Sequence, residues 1–204
     1  MNMHANPSPL LAAALALALT SCGGAETGTG TATLEPPLAG ATIGGDFALT
    51  GSEGETVRWS DFAGQYRIVY FGYAYCPDIC PTDMQRTVQG LGKFAQAEPA
   101  LAANVQPIFI TIDPARDTRE VVDEFTSAFS EDLIGLTGSE AEVADAAAKF
   151  GVYYVKGEES ESGGYLMDHS RIVFLFDPEG EPLAMLPADE GADAVAQELS
   201  KWVT

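Results

Sequence analysis

The chain has 204 residues, 46% hydrophobic and 20% charged, enough for one globular domain with its own core plus a short extension. Ten basic residues stand against 30 acidic ones, a formal net charge of −20. That balance argues against nucleic-acid binding, which needs a basic patch to displace phosphate counterions. It favours solubility and the steering of basic partners, and it leaves the fold open.

Leu10 to Leu19 is an unbroken run of Leu and Ala. It is shorter than the roughly 20 apolar residues of a membrane span and reads as the apolar core of a secretory signal, over residues 1–21. Leu19-Thr-Ser-Cys22 resembles the bacterial lipobox, in which the cysteine becomes the lipidated N-terminus, although no basic residue precedes Arg58. The alternative is an ordinary cleaved signal with a stray cysteine. A lipid on Cys22 would hold the protein on a membrane without spanning it. Residues 22–40, rich in Gly, Thr, Ala and Pro, read as a flexible tether to a domain over residues 41–204. The expectation is an exported bacterial lipoprotein facing the periplasm, where disulfides are permitted.

Within the domain, Gly45 to Trp59 predicts two short strands around a glycine turn. Arg67-Ile-Val-Tyr-Phe-Gly72 is a continuous apolar run, as in a central buried strand. After the cysteines, the spacing of Met84, Val88, Leu91 and Phe94 predicts a helix over 82–96, with Pro81 in its first turn. Val105 to Asp113 reads as a second buried strand, Thr118 to Phe129 as a helix capped by Thr118, and Leu133 to Thr137 as a short strand. Ser139-Glu-Ala-Glu142 has the form of a capping box, opening a helix to about Phe150. Tyr153 to Lys156 is a strand, and an acidic loop follows to Gly164. Arg171 to Phe176 and Pro182 to Leu186 form a hairpin across Asp177-Pro-Glu-Gly180, and Ala192 to Val203 is a closing helix. Alternating strands and helices imply an α/β sheet covered on both faces. The hairpin followed by a last helix is how a thioredoxin-like sheet ends.

Two of the three cysteines lie in Cys76-Pro-Asp-Ile-Cys80, between the buried strand and the helix. A helix N-terminus offers partial positive charge and unpaired N–H groups, which stabilise thiolate. If the backbone from Cys76 onward is helical, spacing four puts both sulfurs on one face. They could then form a redox pair, clamp a metal ion or staple the loop. Such a staple closes a tiny ring and gains little from chain entropy. Thioredoxin-type reductases separate their cysteines by two residues; here there are three.

His4 lies in the expected signal, so His169 is the imidazole left to the domain. It flanks the strand Arg171 to Phe176, at the edge where a thioredoxin-like fold presents its site. Two thiolates and an imidazole suit a soft ion such as Cu(I). A structural zinc site usually wants four protein ligands, and a carboxylate such as Asp113 or Asp168 would have to be the fourth. The cysteines must be reduced to bind either ion.

Cys76-Pro-Asp-Ile-Cys-Pro81, Ile110-Thr-Ile-Asp-Pro-Ala-Arg-Asp-Thr118, Gly135-Leu-Thr-Gly138 and Asp168-His-Ser170 together resemble the Sco/SenC family, from about Ile43 to Val203. The resemblance implies a thioredoxin-like α/β fold, a central mixed sheet flanked by helices, here with an N-terminal β-hairpin. It implies one copper ion, Cu(I) or Cu(II), on Cys76, Cys80 and His169, and delivery to the binuclear copper centre of cytochrome c oxidase. Asp113 is then expected to order loops or tune the ligands, Asp168 to orient His169 or face solvent, and Asp78 to contact a partner or suit the helix dipole. The implied partners are the oxidase copper-centre subunit, a copper donor, a thiol reductant and, through Cys22, a membrane. An enzymatic alternative uses Cys76 and Cys80 alone, as a thiol-disulfide reductase keeping the oxidase cysteines reduced.

Overall fold

The computed structural model describes residues 1–2, 35–160 and 163–204; His4, the apolar core of the expected signal and Cys22 lie outside them. The first strands, β1 (Ala48–Thr50) and β2 (Thr56–Arg58), pair antiparallel as the expected hairpin, with Leu49 opposite Val57. A 3-10 turn over Trp59–Phe62 then drops both aromatic ends into the core.

The long apolar run forms β3 (Tyr66–Gly72), followed by α1 (Ile79–Ala97) and the short α2 (Pro99–Ala102). Next come β4 (Val105–Thr111), α3 (Arg119–Ser127), β5 (Ile134–Leu136) and α4 (Glu140–Lys149). The chain ends with β6 (Tyr154–Lys156), β7 (Met167–His169), β8 (Val173–Phe176), β9 (Pro182–Leu186) and α5 (Ala192–Trp202). Two caps form as the sequence predicts. Thr118 Oγ1 accepts the Val121 N–H, and Ser139 and Glu142 complete a reciprocal capping box.

The five-stranded sheet has the order β5-β4-β3-β8-β9. β3, β4 and β5 are parallel, while β8 pairs antiparallel with both β3 and β9, so the sheet is mixed. Parallel neighbours require crossovers, which α1 with α2, and then α3, supply. Alternation along β3 assigns the faces. Tyr70 points to α1, reaching Asp83, and stacks near Phe109, whose ring meets Phe125 of α3 at 4.9 Å. Phe71 points the other way, to Phe150 at the end of α4. Phe150 anchors that face, 5.4 Å from the rings of both Trp59 and Phe176. Such tilted aromatic contacts add roughly 0.5–1.5 kcal/mol per pair beyond area burial.

Four findings differ from the sequence reading. α1 begins at Ile79, so Cys80 and Pro81 both lie in its first turn, where a missing proline N–H breaks no helical bond. α2 is an added single turn. His169 belongs to a separate strand, β7, which pairs with β6 in a two-stranded sheet rather than with β8. The packed chain also begins within the expected tether. The Leu38 N–H donates to the Leu183 carbonyl, and Leu38 packs against the core.

Candidate metal centre

β3 delivers the chain to Gly72 at the carboxyl end of the sheet, where open α/β folds present their sites. Gly72 is required there: a Cβ would stand 3.1 Å from the Cys80 sulfur and 2.7 Å from the Tyr70 ring. Cys76 precedes α1 and is held by its N–H bond to the Tyr73 carbonyl. Its sulfur accepts the Cys80 backbone N–H at 3.3 Å. The two sulfurs therefore converge although Cys76 is not helical. Both cysteines are free thiols; Cys80 is fully buried and Cys76 half-buried.

The two thiols are electrostatically unlike. The Cys80 side chain donates to the Cys76 sulfur. That bond, with others from His169 and the N–H groups of Cys80 and Asp78, pulls Cys76 down to about 3 against the opposing effect of burial. The same bond, and then burial, pushes the Cys80 thiol up. The accessible sulfur is thus the anionic one.

β7 brings His169 to the pair, with Nε2 at 3.3 Å from Cys80 Sγ. Nδ1 lies 3.0 Å from the Ser170 carbonyl. A carbonyl only accepts, so Nδ1 carries a proton there, and Nε2 is the ring nitrogen that faces the sulfurs. Tyr70 and Tyr73 hold the imidazole edge-on at 6.1 and 6.0 Å. Asp168, on the opposite side of β7, is exposed and does not orient the imidazole; Ser170 does.

Asp113 is buried, and its contacts lead away from the ligands. It accepts from Arg116 Nε at 2.5 Å and from the Tyr165 hydroxyl at 2.8 Å. Arg116 also donates to the Tyr165 carbonyl and lies over that ring at 3.5 Å. Asp113 therefore orders the segment that leads into β7. Asp78 is exposed at the N-cap without a side-chain capping bond.

Sequence reasoning missed two buried carboxylates. Asp117, inside the Asp-Pro-Ala-Arg-Asp-Thr stretch, accepts from the Ala74 N–H at 2.8 Å and from Thr111 Oγ1 at 2.7 Å. It fixes the turn before Cys76. Asp83, 2% exposed, accepts from Arg171 Nε and NH2 at 3.1 and 2.7 Å and from the Tyr70 hydroxyl at 3.2 Å. A carboxylate on the apolar face of a helix is the one sequence signal for it.

The site opens into a cleft of about 230 Å³ lined by Cys76, Asp78, Ile79, Met167, His169 and Arg171 among others. Tyr75, Ile79 and Leu166 are exposed apolar side chains close to it in sequence. The donor set fits a soft ion: two sulfurs and an imidazole nitrogen, with Asp113 engaged elsewhere. Among the described residues no His, Cys, Asp and Glu side chains already stand as a metal cage. The trio sits at hydrogen-bonding distance, and ligands on a common ion at ~2.0–2.3 Å bonds stand somewhat further apart. Holding an ion on this trio would require small side-chain shifts.

The family model described as SCO1/SenC matches residues 35–204. The mouse protein SCO2 homolog, mitochondrial, is 42% identical over 144 residues, 70% of this chain and 56% of that protein. The chain spans about half the length of the curated relatives it matches. The crystal structure of Arabidopsis thaliana ScoI with copper bound superposes with a TM-score of 0.73 at 36% identity, over 78% of this chain and 96% of that one. Bradyrhizobium japonicum ScoI with copper bound gives 0.70 at 32% identity, over 78% and 99%. These likenesses bear out the thioredoxin-like fold expected from the sequence, and by the family match and the identity to its relatives the chain belongs to the SCO1/SenC family.

Proposed function

We propose that the protein is a copper metallochaperone, holding one copper ion on Cys76, Cys80 and His169 and passing it to the binuclear copper centre of cytochrome c oxidase. The observation that carries this reading is the 3.3 Å approach of His169 Nε2 to the Cys80 sulfur, with Cys76 in the same cleft. A pair devoted only to disulfide exchange has no need of that imidazole. The copper-bound relatives support the choice of metal. Cys76, half-buried and anionic, is the sulfur an incoming ligand meets first, so transfer would proceed by exchange of sulfur ligands between proteins. The acceptor is the oxidase copper-centre subunit; a copper donor loads the site, and a thiol reductant keeps the cysteines reduced. In this reading the protein is an exported bacterial lipoprotein, held at the periplasmic face of a membrane through Cys22.

The contrast between the two thiols favours a second activity. A Cys76 thiolate is set to attack a partner disulfide, and Cys80 then resolves the mixed disulfide. One Cys76–Cys80 disulfide and two partner thiols result, and the external thiol reductant restores the pair.

Cells lacking the native protein and carrying His169→Ala test the first reading. Oxidase assembly fails while the purified variant still exchanges disulfides. Full restoration of the oxidase by His169→Ala contradicts it.

A further inference from the structure

The imidazole of His169 is not positioned by the central sheet. β7 belongs to the small sheet with β6, and β8 joins the central sheet only from Val173 onward. Between them the Ser170 N–H bonds to the Tyr153 carbonyl, which ties this stretch to the β6 side and not to the helix that carries Cys80. A direct side-chain link between the His169 segment and the helix that carries Cys80, beyond the ligands themselves, is Arg171 to Asp83. Asp83 stands three residues after Cys80, on the same face of α1. Arg171 stands two residues after His169 and lines the cleft.

The link is geometrically specific. The guanidinium meets the two carboxylate oxygens through Nε and NH2, a fork that fixes distance and plane together. The Tyr70 hydroxyl donates to the same carboxylate, and the Tyr70 ring stands edge-on to His169. Asp83 is 2% exposed while the Arg171 side chain is 41% exposed, so the carboxylate is buried and the guanidinium reaches it from the solvent side. Arg86, one helical turn further on, does not compete for Asp83; it donates to the carbonyls of Ala188 and Asp189.

We infer that Asp83 and Arg171 are positioning residues that hold the His169 imidazole within reach of the Cys80 sulfur, and so decide whether bound copper carries a nitrogen ligand. The inference rests on the copper-site reading above. Neither residue touches the metal in it. Their effect passes through the backbone of Ser170 and the first turn of α1.

The test loads copper onto the reduced protein and onto Arg171→Met, Arg171→Lys and Asp83→Asn. Lys93→Met, which breaks the surface pair with Asp193, is the control. Stoichiometry, affinity and ligation by X-ray absorption are read on each, with circular dichroism and thermal unfolding as the check on folding. Wild type and Lys93→Met carry one copper with sulfur and nitrogen ligation. Arg171→Met and Asp83→Asn remain folded and keep the sulfur shell. They lose the nitrogen signature, and copper affinity falls roughly 10–100-fold, the usual cost of losing a group that orients a ligand. Arg171→Lys, which retains the charge without the fork, falls between. Folded Arg171→Met and Asp83→Asn proteins with wild-type nitrogen ligation and affinity overturn the inference. So does a loss of fold in both, which would make the pair a general stabiliser. Copper bound without nitrogen in wild type overturns the copper-site reading, and the inference with it.

Discussion

His169 Nε2 lies 3.3 Å from the sulfur of Cys80, a residue 89 positions earlier in the chain. The contact depends on a glycine at position 72, because a side chain there would crowd the Cys80 sulfur. It depends also on the Ser170 carbonyl, which accepts from Nδ1 and leaves Nε2 facing the thiols.

Removing the imidazole separates the two candidate activities. In His169→Ala the affinity for Cu(I), measured by competition with a chromophoric chelator, falls by more than the ~10–100-fold that follows loss of an outer-shell partner. Disulfide exchange with a model substrate continues. Unchanged Cu(I) affinity would show that the imidazole is not a ligand.

Cys76 is held down to about 3, first by its bond from Cys80. A depressed value means the reactive anion persists until the pH falls through that value. The alkylation rate of Cys76 by iodoacetamide is therefore flat from about pH 5 to about pH 8, where an ordinary thiol of pKa ~8.5 loses about tenfold per unit on acidification. A rate that climbs tenfold per unit through neutrality contradicts the assignment.

Two glycines of α1 should respond in opposite directions. Gly92 is exposed, and a Cβ added there would meet nothing within 4 Å, so Gly92→Ala gains helix propensity and stabilises by up to ~1 kcal/mol. At Gly90 a Cβ would stand 2.5 Å from Val195 of α5 and 2.9 Å from the Ala192 carbonyl. Overpacking of ~1–3 kcal/mol outweighs the propensity gain there, and Gly90→Ala destabilises. Urea denaturation midpoints check both, and a Gly90→Ala midpoint above wild type refutes the close packing of α1 on α5.

Much of this is legible in the sequence, for identifiable reasons. β3 from Ile68 to Phe71 and β4 from Pro107 to Ile110 are apolar runs because both faces of a central strand are covered. The caps of α3 and α4 are local, so Thr118 and Ser139 announce them. β7 is hidden because Met-Asp-His carries no pattern of its own and its partner β6 lies more than ten residues upstream. The start of α1 reads late in the sequence because Pro81 suits several first-turn positions equally. The Asp83–Arg171 pair joins residues 88 apart, and no local spacing encodes such a meeting. Asp168 next to His169 has the look of an orienting group, but strand alternation sends neighbours to opposite sides.

The most direct measurement is X-ray absorption on the reduced wild-type domain after addition of one equivalent of copper, with metal stoichiometry on the same sample. The account predicts one copper per chain, bound by sulfur from Cys76 and Cys80 and by nitrogen from His169, with the nitrogen shell absent in His169→Ala. A wild-type spectrum with sulfur alone, or one that His169→Ala leaves unchanged, would contradict it.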